Sequence, residues 1–146
     1  MDRNNKMGKL ATNFILIIMV FSLQGCTGQD PTKEEIIGIW KSSDRGSFQF
    51  KNDGTFITKD LPGSIIFKYS DEHKENTFTE LGNWEIEKWQ DQWVVSLMFT
   101  KSENLKKGYA TRILISGTGI LENNPPWDLF LWVGEEGGER YTFKKE

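Results

Sequence analysis

The sequence predicts an all-β domain, a mostly antiparallel up-and-down meander of about eight strands that closes into a small barrel or a rolled sheet. Three observations carry this. From Ile36 onward the apolar residues recur at every second position rather than at helical spacing. The runs are separated by short connections, most of them containing glycine. No helix-length amphipathic pattern lies between them. Antiparallel runs must bury one face and deal with their edges, and curling the sheet onto itself does both.

The elements follow in order. Ile37, Ile39 and Lys41 alternate with Gly38 and Trp40 in the first strand. Phe48 and Phe50 share a face of the second, and Asp53-Gly54 precedes Phe56-Ile57-Thr58. That pair tolerates the positive φ angles of a tight primed turn, so a hairpin is expected there. Leu61-Pro62-Gly63 breaks the pattern, Ser64-Ile65-Ile66-Phe67 fits a strand or one helical turn, and Asp71 to Asn76 reads as an exposed loop. Trp84, Ile86 and Lys88 then oppose Glu85 and Glu87. After the turn Gln90-Asp91-Gln92, Trp93, Val95, Leu97 and Phe99 oppose Val94, Ser96, Met98 and Thr100. Tyr109 to Ser116 is a further strand. Trp127 to Val133 is the next, and it turns through Glu135-Glu136-Gly137-Gly138 into Arg140 to Lys144.

Composition bounds the function. At 146 residues the chain is a single-domain candidate. Its 18 basic and 21 acidic residues give a net charge of -3, without the basic excess of a nucleic-acid binder. One cysteine excludes an internal disulfide framework and a four-cysteine zinc site, and one histidine excludes His-pair metal motifs. No cofactor motif is found, so none is expected.

Residues 1–25 differ from the rest. Arg3, Lys6 and Lys9 precede the apolar run Phe14 to Phe21, which is far shorter than the roughly 20 residues that span a bilayer. It ends in Leu23-Gln24-Gly25-Cys26. This tetrapeptide resembles the lipobox of bacterial lipoproteins. The resemblance covers the first 26 residues. It implies cleavage before Cys26, acylation of its sulfur and lipidation of the new amino terminus, with two or three acyl chains making a stable membrane anchor. The remaining 121 residues would carry 15 basic and 20 acidic side chains, a net charge of -5. On this reading 1–25 is a signal peptide, 26–35 the lipidated cysteine with a flexible tether, and 36–146 the β domain. The expected location is the cell envelope, on the extracytoplasmic side. Thr27 in place of Asp favours the outer membrane where the host has one. Lys33-Glu34-Glu35 is similar to charged surface-export signals of some lipoproteins and equally fits a solvated linker.

A second resemblance rests on Gly38-Ile39-Trp40, Asn52-Asp53-Gly54-Thr55-Phe56 and Gly82-Asn83-Trp84-Glu85-Ile86. In that order they are similar to motifs of the small lipocalin-like domains of bacterial lipoproteins, which implies a lipocalin-like barrel over most of 36–145. The ending, from Pro125-Pro126-Trp127 to Gly137-Gly138-Glu139-Arg140-Tyr141-Thr142-Phe143, is similar to small secreted bacterial proteins without an assigned activity. A fold of this kind does not supply a function.

Six tryptophans carry the remaining expectations. Trp40 and Trp84 belong to the core, where glycines at 38 and 82 allow a ring or backbone to approach. Trp89 and Trp93 flank a turn, while Phe130 and Trp132 make the second face of their strand apolar. Such a strand is covered on both sides or borders a binding surface. Trp89, Trp93, Phe130 and Trp132 are therefore the candidate lining for an apolar small molecule or an envelope protein, the latter met by an inhibitor or immunity-type protein. Catalysis has thin support. His73 sits in a charged loop without a Gly-x-Ser-x-Gly elbow. Glu85 and Glu87 share one side of a strand, which makes a carboxylate-based carbohydrate hydrolase the remote alternative. Glu135, Glu136 and Glu139 match no calcium loop, and Gly117-Thr118-Gly119 lacks the P-loop lysine.

Overall fold

The computed structural model describes residues 28–67, 77–102, 105, 107–118, 122–133 and 138–146. The proposed signal peptide, Cys26, Thr27, the 71–76 loop with His73, Gly119, and the Glu135-Glu136-Gly137 turn lie outside the described residues. Among the described residues, two short helices, α1 (Lys33–Ile36) and α2 (Gly63–Ile66), accompany ten strands. These are β1 (Gly38–Lys41), β2 (Ser47–Phe50), β3 (Thr55–Lys59), β4 (Leu61–Pro62), β5 (Thr77–Phe78), β6 (Leu81–Trp89), β7 (Gln92–Phe99), β8 (Tyr109–Thr118), β9 (Asn124–Val133) and β10 (Glu139–Lys145).

Eight strands form a closed antiparallel barrel in the order β1-β10-β9-β8-β7-β6-β3-β2, while β4 and β5 pair separately. The meander is interrupted once, between β3 and β6, by residues 60–80. The ambiguous segment Ser64 to Phe67 falls there and resolves as the helical turn α2, whose Ile66 and Phe67 are buried in the core. Closure comes from β1 against β10, with Trp40 opposite Lys145 and the Glu146 N–H donating to Ile39 O at 2.9 Å.

The period-two pattern fixes which side chains face inward. Trp40, Phe48, Phe50, Phe56, Trp84, Leu97, Phe99, Ile113, Leu129 and Phe143 meet along the barrel axis, each nearly inaccessible to water. Their rings interlock: Phe48 lies 5.0 Å from Phe143 edge-on, Phe50 5.1 Å from Trp84, and Phe56 5.0 Å from Phe99 edge-on. Offset and edge-on pairs are the favourable arrangements for aromatic quadrupoles. The barrel is filled by its own side chains.

Alternating strand direction sorts the connections to two ends. One end carries residues 28–37, the β2–β3 turn, the β6–β7 turn, the β8–β9 connection and the C-terminus. The other carries the β1–β2 turn, the 60–80 insertion and the connections after β7 and β9. The insertion closes its end with Ile66, Phe67 and Phe78, and Tyr109 Oη donates to Ile66 O at 3.0 Å.

Residues 28–35, expected as part of a flexible tether, are instead docked on the barrel. The Gln29 N–H donates to Asn123 O at 2.9 Å, Trp93 Nε1 donates to Asp30 Oδ1 at 2.9 Å, and Pro31 is buried. Thr32 and Glu35 then cap α1 reciprocally, satisfying backbone donors of so short a helix. The Thr32 N–H, above all, lowers the pKa of the Glu35 carboxyl. Ile36 is fully buried and its carbonyl accepts from Trp40 Nε1 at 2.7 Å. A polar composition read locally gave a linker; burial of Pro31 and Ile36 holds the segment down.

The tight two-residue turn forms at a different place from the one expected. At Asp53-Gly54 only Gly54 takes a positive φ, of 82°, and Asp53 Oδ1 accepts from the Thr55 N–H at 2.9 Å, so the connection is longer than a two-residue primed turn. That turn is built instead by Gln90 (φ 47°) and Asp91 (φ 63°), between paired Trp89 and Gln92. Neither is glycine or asparagine, the residues this geometry favours. The double variant Gln90→Asn/Asp91→Gly should therefore be more stable by about 1 kcal/mol, read as a higher urea midpoint. An unchanged or lower midpoint would show that the turn is not strained.

Candidate functional site

The outer wall of β6 to β10, with Glu122 from the β8–β9 connection, carries two clusters of the same design. In the first, Glu87 Oε1 accepts from Arg112 Nε at 2.8 Å and from Ser96 Oγ at 2.7 Å, and the Arg112 guanidinium lies 5.3 Å from the Trp89 ring. In the second, Glu122 accepts from Arg140 Nη1 and Nη2 at 3.2 and 3.1 Å and from Ser116 Oγ at 2.9 Å. Arg140 covers both Phe130, at 4.4 Å, and Trp132, at 5.0 Å. Each carboxyl is held below its ordinary pKa, first by its arginine and then by its serine. Exposed ion pairs add little stability. Here they orient two arginines over three aromatic rings.

The four predicted aromatics do not form one groove. Trp93 sits at the barrel end that holds the N-terminal segment, bonded to Asp30 with Lys88 5.8 Å from its ring. Trp93, Phe130 and Trp132 help line a depression of about 150 Å³ with Gln29, Glu122 and Arg140. Ligand pockets usually run from roughly 300 to 1,000 Å³, so this depression is smaller than most. Trp89 stands apart from it, in the other cluster. Phe130 is buried although it faces outward, and the Arg140 side chain lies over its ring. Trp40 and Trp84 lie in the core as expected, bonded through their indole N–H groups to Ile36 O and Lys51 O.

A different surface was not singled out from the sequence. Leu81 and Met98, 57% and 54% exposed, are the most exposed large apolar side chains among the described residues, ahead of Trp89 and Trp132. Met98 is opposite Asn83 and Ala110 in the sheet. It borders a groove of about 430 Å³ on the outer wall of β6, β7 and β8, lined with Asn83, Glu85, Glu87, Ala110 and Arg112. The signal that finds both residues is parity: each is apolar on the outward phase of its strand, where only solvent was expected.

Of the remaining chemical candidates, Glu85 and Glu87 do share the outward side of β6, but Glu87 is committed to Arg112 and Ser96 with its pKa lowered. A glycosidase acid needs the reverse shift. Glu139 is an exposed residue at the start of β10. Gly117 marks a β-bulge, where a Cβ would meet Asn124 O at 2.1 Å. Among the described residues no group of three or more His, Cys, Asp or Glu side chains is placed to hold a metal ion, and no helix is long and apolar enough to cross a membrane. No family model, curated protein or solved structure matches this chain.

Proposed function

We propose that this is an envelope lipoprotein, anchored through acylated Cys26, whose lipocalin-like barrel acts by binding a protein partner on its outer wall. The observation that carries the binding mode is the filled interior. The axis is occupied by interlocked aromatic rings, and both ends are covered by the chain itself. Apolar surface on offer to a partner lies outside, at Leu81 and Met98 beside a groove that also presents Glu85, Glu87 and Arg112. Such a mixture of apolar anchors and a polar rim suits a protein interface. The anchor rests on Leu23-Gln24-Gly25-Cys26 after its apolar run. Confinement to one membrane surface raises the effective concentration of a partner held there too.

Cys26→Ser should move the protein from the membrane fraction to the soluble one, and tight retention would overturn the anchor. A photo-crosslinking residue at Met98 should yield one discrete adduct in cells, lost on Leu81→Arg and absent when the probe stands at Gln49. Saturable, stoichiometric binding of palmitate with a shift in tryptophan emission would overturn the outer-wall reading in favour of a ligand held inside.

A further inference from the structure

We propose that the barrel stands end-on at the membrane, with the end built from residues 28–37, the β2–β3 turn and the β6–β7 turn against the lipid headgroups. This rests on the anchor at Cys26 and adds the orientation that such an anchor imposes. The argument is one of reach. Cys26 is two residues before Gly28, and consecutive Cα atoms are about 3.8 Å apart, so the acylated residue lies within about 8 Å of Gly28. Gly28 lies close against the barrel. The next residue, Gln29, is hydrogen-bonded to Asn123, and a Cβ on Gly28 would meet Asn123 Cβ at 2.5 Å. Asp30 is tied to Trp93, and Pro31 and Ile36 are buried. The lipid is thus attached to the rigid body through a spacer too short to let the barrel turn over.

The chemistry of that end fits a headgroup layer. Trp89 is 41% exposed at the β6–β7 turn, and tryptophan partitions to membrane interfaces, where an apolar ring and a polar edge are both satisfied. Lys33, Lys88 and Lys145 lie within 6 Å of the rings of Trp84, Trp93 and Trp40 at the same end. Asp30, Glu34, Glu35, Asp53, Asp91, Glu122 and Glu146 outnumber these lysines and Lys51, so the end is net acidic. Its contact is therefore with a zwitterionic surface and does not need anionic lipid. The β8 and β9 strands, ten residues each, place the opposite end about 25 Å or more away once strand tilt is allowed for. Met98, near the end of β7 that leads away from the anchor, then faces the aqueous compartment together with its groove.

The test uses the full-length lipidated protein reconstituted in phosphatidylcholine vesicles that contain a headgroup-nitroxide lipid. Acylation is first read by mass spectrometry of the purified chain; an unmodified Cys26 overturns the anchor itself, separately from the orientation. With the acyl mass present, a bimane fluorophore on Gln92→Cys, at the β6–β7 turn, should lose most of its emission. The same label on Ser43→Cys, in the β1–β2 turn, should keep it. Equal quenching at the two sites, or stronger quenching at residue 43, overturns the orientation. A twelve-residue Gly/Ser spacer inserted between Thr27 and Gly28 should leave the protein on the vesicles and abolish the quenching at residue 92. Unchanged quenching with the spacer overturns the proposal that the short attachment sets the orientation.

Discussion

Phe48→Ala should lower the unfolding free energy by about 3–5 kcal/mol. Phe48 is wholly inaccessible to water and touches three other rings, at 5.5 Å (Phe50), 6.0 Å (Phe56) and 5.0 Å (Phe143). Those neighbours hang from β2, β3 and β10, whose backbones are fixed by barrel pairing, so they have little freedom to collapse into the space left behind. The cost therefore combines the lost transfer energy of the ring with that of a cavity. Small domains have only about 5–15 kcal/mol to lose, so the urea midpoint should fall steeply at an unchanged slope. A loss below about 1 kcal/mol would mean that the interior is loosely filled, and would revive a small molecule inside the barrel.

Gly82→Ala is the second large effect, with a sign opposite to the usual one. Exchanging a strand glycine for alanine ordinarily gains about 0.5–1 kcal/mol of chain entropy. Here a Cβ would stand 2.3 Å from Met98 O and 2.6 Å from two atoms of the Phe56 ring. Relieving both contacts needs β6 and β7 to separate at the Gly82–Phe99 pair and Phe56 to leave its edge-on contact with Phe99. Both shifts strain a filled core, and the expected loss is about 3 kcal/mol. Phe56→Leu in the same chain should recover part of it, a coupling that a double-mutant cycle measures. Additive losses would show that the ring is not what excludes the Cβ.

The periodicity of two made most of this fold legible, because in a barrel one strand face is always inside. Trp40 and Trp84, expected in the core, are buried there. What failed was set by partners distant in the chain. Gln90-Asp91 makes the tight turn because pairing continues to Trp89 and Gln92, and the Asp53-Gly54 turn is longer because Lys51 N–H donates to Thr55 O at 2.9 Å. The docked segment 28–35 looks like a linker until Asn123 and Trp93 are beside it. At the candidate site, residue type was a poorer guide than phase. Tryptophan drew attention to Trp93 and Trp132, which share only a small depression, whereas Leu81 and Met98 were legible as apolar residues on the wrong side of their strands. The Glu87–Arg112 and Glu122–Arg140 pairs span 25 and 18 residues and follow from register, which no local pattern specifies.

The seam between β1 and β10 also governs when the domain can exist during its own synthesis. Trp40 is paired with Lys145, and Lys145 Nζ donates to Glu35 O at 2.6 Å, so the first strand of the barrel is locked by Lys145 of β10. Until that residue is available the sheet has two open edges and an uncovered interior. Contacts of such long sequence separation also form slowly. A chain threaded from its N-terminus through a narrow conduit would therefore stay pliable for the whole passage, and the ring would lock only after the last strand had cleared.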